Sequence, residues 1–181
     1  MYPFIRLGKT IAKSTLLQLQ GKTLAPTDTS EISFVSGIHD IDNFLEMNNG
    51  RIFTLFDLGR TDFAIRTGLG KKLLANRWGL VVAGSSIQYR KRVRLFDKIT
   101  IKTRLCAIDE RWFYIEQTMY NQGTPSSQAL LRTGVTNLMT GKTIPTQTVL
   151  TAIGHGDLLM PADDWVAAWI AADKLRNFPI D

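Results

Sequence analysis

Asn48-Asn49-Gly50-Arg51-Ile52-Phe53-Thr54-Leu55-Phe56-Asp57-Leu58-Gly59-Arg60-Thr61-Asp62-Phe63-Ala64-Ile65-Arg66 is the stretch whose reading decides the fold. Asn48 or Asn49 can N-cap a helix running to about Arg66, because an Asn side chain accepts from the amides of a first turn. Ile52, Leu55, Phe56 and Phe63 follow helical spacing, and Gly59 joins their face. Phe53, Leu58, Ala64 and Ile65 add apolar groups on other faces. A helix this apolar on most sides is buried rather than laid on a surface. Gly59 lowers helix propensity by about 1 kcal/mol, so its presence implies that something packs against the backbone there.

Outward from this helix the chain reads as strands. Glu31 to Ile38 precedes it. Leu80 to Tyr89, Asp97 to Ile108, Trp112 to Tyr120 and Gln128 to Met139 follow it, rich in β-branched and aromatic residues. The turns between them are too short for parallel crossovers, which need a dozen or more residues, so the sheet is antiparallel. The fold class is therefore α+β: an antiparallel sheet wrapped around a long central helix in residues 30–140. Residues 1–29 form a basic amphipathic helix and linker, and residues 141–181 a C-terminal extension with a helix from Pro161 to Arg176. In the first helix Phe4, Leu7 and Ile11 share one face and Arg6, Lys9 and Lys13 the opposite one. The apolar face is expected to dock on the core with the basic face in water; weak contact with an anionic membrane is the alternative. Trp165, Trp169 and Ala172 mark the expected packing face of the last helix.

Composition narrows the function classes. A chain of 181 residues suits one domain. The single cysteine, Cys106, excludes an internal disulfide framework and a paired-cysteine zinc site, as expected for the cytoplasm. Charges at Arg6, Lys9 and Lys13 break up the opening residues, unlike a secretory signal peptide. The net charge of +6 favours an anionic partner.

Several signatures fail. Gly141-Lys142-Thr143 ends like a phosphate-binding loop, but Thr136 stands where the first glycine belongs. Gly68-Leu69-Gly70 lacks the third glycine of a dinucleotide fingerprint, and no Gly-x-Ser-x-Gly elbow occurs. His39 and His155 are far apart, which leaves little material for a metal site. Cys106 lies mid-strand and reads as a small core residue. What remains is the acidic loop from His39 to Arg51, carrying Asp40, Asp42 and Glu46 just before the buried helix. It reads as a solvated capping loop, as a magnesium-binding Asp-x-Asp pair without a phosphate cradle, or as a general base or nucleophile beside a helix N-terminus. There free amides polarise a carbonyl oxygen.

At this loop the chain resembles the hotdog-fold thioesterases of the 4-hydroxybenzoyl-CoA thioesterase type. The resemblance covers roughly residues 30–140. It rests on Asp40-x-Asp42, Met47-Asn48-Asn49-Gly50-Arg51, Asp57-Leu58-Gly59-Arg60, Val82-Ala83-Gly84, Tyr89-Arg90-Lys91-Arg92-Val93 and Asp109 to Gln117. One bacterial branch shares the opening Met1-Tyr2-Pro3-Phe4 and the closing Trp165 to Ile170. The resemblance implies a sheet rolled around one long helix, usually paired into dimers whose sites lie between two subunits. It implies that Asp42 is the catalytic carboxylate and that Asn48 helps fix the site. Many relatives have Gly-His where this chain has Leu45-Glu46, so Glu46 either replaces a histidine base or only caps the helix.

The expected activity is hydrolysis of an acyl-CoA or acyl-carrier-protein thioester, with neither metal nor bound cofactor. Asp42 activates water or forms a transient anhydride. Amides near Asn49 and Gly50 hold the oxyanion, and the acyl chain lies near Phe53, Phe56 and Gly59. The basic stretch from Arg90, Lys91 and Arg92 to Arg94 reads as a solubilised edge or as a site for coenzyme A phosphates. Nucleic acid is not the expected partner, because exposed stacking aromatics are sparse among these charges. A homodimer or a dimer of dimers is expected. The rival reading is a non-catalytic hotdog dimer that binds an acyl group or a membrane surface.

Overall fold

The computed structural model describes residues 2–176. The order of elements is α1 (Phe4–Leu19), β1 (Thr29–Val35), a 3-10 turn (Ile38–Asp40), α2 (Asn49–Arg66), α3 (Leu69–Asn76), β2 (Trp78–Tyr89), β3 (Lys98–Ile108), β4 (Phe113–Asn121), β5 (Thr124–Asn137), β6 (Thr143–Ile144), α4 (Thr146–Ala152) and α5 (Asp164–Lys174). The main sheet runs β1-β3-β4-β5-β2, and β6 pairs with one end of β5. All its pairings are antiparallel. Among the described residues no helix is long and apolar enough to cross a membrane.

α2 lies across the inner face of this sheet. Ile52, Leu55, Phe56 and Leu58 join Ile99, Ile101, Met119 and Leu131 in one buried cluster. Gly59 is where sheet and helix come closest: a Cβ there would stand 2.5 Å from Thr103 Oγ1 and 2.8 Å from Gln117 Nε2. The same Gln117 nitrogen donates to the Phe56 carbonyl and to Thr103 Oγ1, both at 2.8 Å. The helix can therefore sit this close without leaving the buried amide unsatisfied.

α1 departs from expectation. It packs on α2, but through a largely polar face. Arg6 turns inward to Asp40, Ser14 is fully buried and donates to Asp62 at 2.5 Å, and Gln18 donates to the Ile65 carbonyl at 2.6 Å. Leu7 faces the core as expected, whereas Phe4 and Ile11 face outward. The cause is the pair of buried carboxylates, Asp40 and Asp62, which require donors and draw the polar side of the helix onto them. In α5 the packed residues are Val166, Trp169 and Ile170 rather than Trp165, which stays exposed. Asp163, not Pro161, opens that helix, its side chain accepting from the Val166 amide.

Candidate active site

The loop before α2 is a tight hairpin. The Asp42 amide donates to the Glu46 carbonyl at 2.9 Å, the Leu45 amide returns to the Asp42 carbonyl at 3.1 Å, and Ile41 bridges Met47. Leu45 closes the turn at φ 60, the left-handed region that glycine enters with least strain. Asn48 then caps α2, its side chain accepting from the Arg51 amide at 3.2 Å. The amides of Asn49 and Gly50, at the start of the helix, have no intrahelical acceptor and lie at the positive end of its dipole. Both residues are exposed.

The two aspartates of the loop have different surroundings. Asp40 is buried and accepts two bonds from Arg6 Nη1, at 2.7 and 2.8 Å, and one from the Gly37 amide at 2.8 Å. Arg51 Nε stands 3.3 Å away on the other side. This carboxylate ties α1, the 3-10 turn and α2 together. Asp42 is only half-buried, and its Oδ1 accepts from the Phe44 amide at 2.8 Å. That single bond orients the carboxylate while leaving Oδ2 without a partner among the described residues.

The basic stretch lies against this loop. The Met47 amide donates to the Val93 carbonyl at 2.8 Å, and Arg92 Nε stands 2.9 Å from Glu46 Oε2. The amides of Arg90 and Lys91 share the Ser126 carbonyl. Tyr89 Oη reaches the Asn49 carbonyl at 3.5 Å, and burial raises its pKa. Asp42, Glu46, Asn48, Asn49, Gly50, Arg90, Lys91 and Arg92 thus gather at one end of the molecule.

The three residues expected to line an acyl pocket do not join them. Phe56 is fully buried, Phe53 packs against the same core, and Gly59 is pressed onto the sheet, so the space beside them is already filled. An apolar cavity of about 310 Å³ lies elsewhere, between the C-terminal half of α2, β2 and α4. Phe63, Leu80, Val82, Ile115 and Leu150 form much of its wall, while Tyr2, Asp57 and Arg60 supply polar groups. Arg60 pairs with Asp57 and donates to Gln117 Oε1 at 2.6 Å. Burial lowers the Arg60 pKa against the opposing pull of Asp57, and burial followed by the Asp57 charge raises that of Tyr2. Sequence reasoning passed over this group. The available signal was two charges three residues apart in a helix otherwise read as buried.

Residues 36–170, spanning the hairpin, α2, most of the cavity wall and most of α5, match the Thioesterase-like superfamily. The chain belongs to that superfamily. Protein THEM6 of Drosophila melanogaster is 31% identical over 137 residues, 74% of this chain and 69% of that one. Protein THEM6 of Xenopus laevis is 37% identical over 79 residues, but the match spans only 38% of the frog protein. Among solved structures, the YbaW probable thioesterase of Escherichia coli aligns over 70% of this chain and 97% of its own, with a TM-score of 0.64 at 19% identity. A hypothetical protein from Staphylococcus aureus, solved in complex with CoA, aligns over 88% and 99% with a TM-score of 0.65 at 15% identity. The fold is thus the hotdog fold of this superfamily, and membership supports thioester hydrolysis as the class of reaction.

Proposed function

We propose that this protein hydrolyses acyl-CoA or acyl-carrier-protein thioesters, with Asp42 as the catalytic carboxylate. The observation that carries this reading is the half-buried Asp42 carboxylate, oriented by one hydrogen bond, in the hairpin that leads into the capped N-terminus of α2 and meets the basic stretch through the Arg92–Glu46 pair. Asp42 takes a proton from water as the water oxygen attacks the thioester carbon. The carbonyl oxygen, now an oxyanion, accepts from the amides of Asn49 and Gly50. The carbon–sulfur bond then breaks, and the thiolate leaves and is protonated. Attack by Asp42 itself, through a transient anhydride, uses the same geometry. Asn48 holds the helix start, Glu46 is steadied by Arg92, and Arg90, Lys91 and Arg92 offer charge to the phosphates of the carrier.

The acyl group occupies the cavity beside Asp57 and Arg60 rather than the filled space at Phe53, Phe56 and Gly59. From Asn49 to Asp57 the helix advances about 12 Å, from its rise of about 1.5 Å per residue. In one chain the hairpin and the cavity are therefore two turns of helix apart. Two copies paired along β2 about a two-fold axis would set their α2 helices antiparallel. The hairpin of one copy would then face the cavity of the other. The test is release of free thiol from a panel of acyl-CoAs. Hydrolysis of at least one, reduced about 10²–10⁴-fold in Asp42→Asn, supports the proposal. A panel with no substrate, or an Asp42→Asn protein of full activity, would overturn it.

A further inference from the structure

A surface helix ordinarily turns its apolar side to the core and its polar side to water. α1 does the reverse. Its inner side meets the protein through Arg6, Ser14 and Gln18, with Leu7 packed beside them, while five other large apolar side chains are left outside. Phe4 is 70% exposed, Ile5 78%, Ile11 42%, Leu16 56% and Leu19 74%. At about 100° per residue these five share one arc of roughly 140° that contains no charged residue. Lys9 and Lys13 are exposed along one border of the arc, and no acidic residue occurs anywhere in the helix. Such a face is too extensive for chance exposure of single apolar residues.

We propose that this outer face of α1 lies on an anionic lipid surface, with its apolar side chains among the acyl chains and Lys9 and Lys13 at the headgroups. The charge pattern selects this occupant. A second copy of the helix docked on the same face would offer Lys9 and Lys13 no helix carboxylate to pair with. A bilayer rich in acidic phospholipid offers both an apolar layer and negative charge at its edge. Because Arg6, Ser14 and Gln18 keep the helix fixed to α2, it binds as part of the folded domain. The surface stands whether or not the protein hydrolyses a thioester.

The test is co-sedimentation of the full chain with vesicles of phosphatidylcholine alone or mixed with phosphatidylglycerol. The expected result is binding to the mixed vesicles that weakens as salt is raised and is at least tenfold weaker on phosphatidylcholine. Ile5→Glu/Leu16→Glu changes two exposed positions, so it should keep the melting temperature and lower binding at least tenfold. Lys9→Gln/Lys13→Gln should lower binding at low salt and flatten its salt dependence. Leu74→Glu, an 86% exposed residue on α3, should bind as the unaltered protein does. The proposal is overturned if the protein does not bind the mixed vesicles, or if Ile5→Glu/Leu16→Glu binds them undiminished. It is equally overturned if that variant loses mass in light scattering, since a second copy would then be the partner.

Discussion

At the scale of single residues, Asp40 and Asp42 stand two positions apart yet should respond to amide replacement in different ways. Asp40→Asn removes the charge that Arg6 and Arg51 face in a buried setting, so it should lower stability by about 3 kcal/mol. Asp42→Asn touches no ion pair among the described residues and should leave thermal unfolding within about 0.5 kcal/mol of the unaltered protein, as surface changes usually do, while turnover collapses. Paired melting curves and thiol-release rates for the two variants check this division, and equal effects on both properties would refute it. The Asp-x-Asp pattern was plain in the sequence, but the division of labour was not, because it depends on Arg6 arriving from thirty-four residues away. Cys106 gives a separate expectation. Burial raises its thiol pKa to about 12, and its Sγ–H donates to the Tyr114 carbonyl. A group whose folded pKa lies above its unfolded value stabilises the fold below the unfolded pKa and loses that contribution as pH rises. For Cys106 the loss runs from about 9 to about 12, and Tyr114, raised chiefly by burial, adds to it at the alkaline end. The melting temperature should therefore fall across that window. A thiol reagent should label Cys106 only after denaturation, and an unchanged alkaline melting temperature or rapid labelling of the folded protein would contradict this.

At the scale of elements, Gly59 offers the sharpest test of how α2 meets the sheet. Alanine there gains about 1 kcal/mol of helix propensity. Its Cβ, however, falls within 3 Å of Thr103 Oγ1 and Gln117 Nε2, which already hydrogen-bond one another. Overpacking of this kind typically costs about 1–3 kcal/mol, so we expect Gly59→Ala to be net destabilising, and a raised melting temperature would show the contact to be slack. α2 and the strands were legible because burial on most sides and β-branched runs are properties of the elements themselves. α3, α4 and β6 were not. Leu69–Asn76 opens after Gly68 without a capping side chain, and Thr146–Ala152 is a helix of seven residues held in place by Val149 and Leu150 in the core. β5 begins at Thr124 rather than Gln128 because Pro125 is tolerated where the pairing with β4 shifts register. The inner face of α1 was misread for a related reason: periodicity locates an apolar arc but not the buried carboxylates that decide which side turns in. The basic stretch was legible as charge, and its contact with the hairpin was not. Arg90→Ala/Lys91→Ala, which spares the Arg92–Glu46 pair, should raise KM roughly threefold at low salt with kcat kept, as loss of two exposed charge contacts implies. The change should shrink as salt is raised. An unchanged KM would leave these residues as solubilising charges.

At the scale of the whole molecule, the sheet ends on β2, twelve residues long and, among the described residues, paired only with β5 along its length. Leu80, Val82 and Tyr89 are each more than 40% exposed on it. A long edge strand with apolar side chains is a template for pairing, and proteins that keep one usually cover it. A two-fold axis beside β2 would continue the sheet from one copy into the next and close the assembly, as isologous contacts do. It would also remove the difficulty that one chain keeps its carboxylate hairpin and its apolar cavity two helical turns apart. Assembly and activity should therefore rise and fall together. Light scattering should give a mass of twice 20.3 kDa, or a multiple of that. On dilution, specific activity should decline over the same concentration range in which the mass falls toward one chain. Thiol release measured beside light scattering across a dilution series decides the matter. A monomer that retains full specific activity would show that one chain holds the whole site, and would return the acyl group to a pocket formed within it.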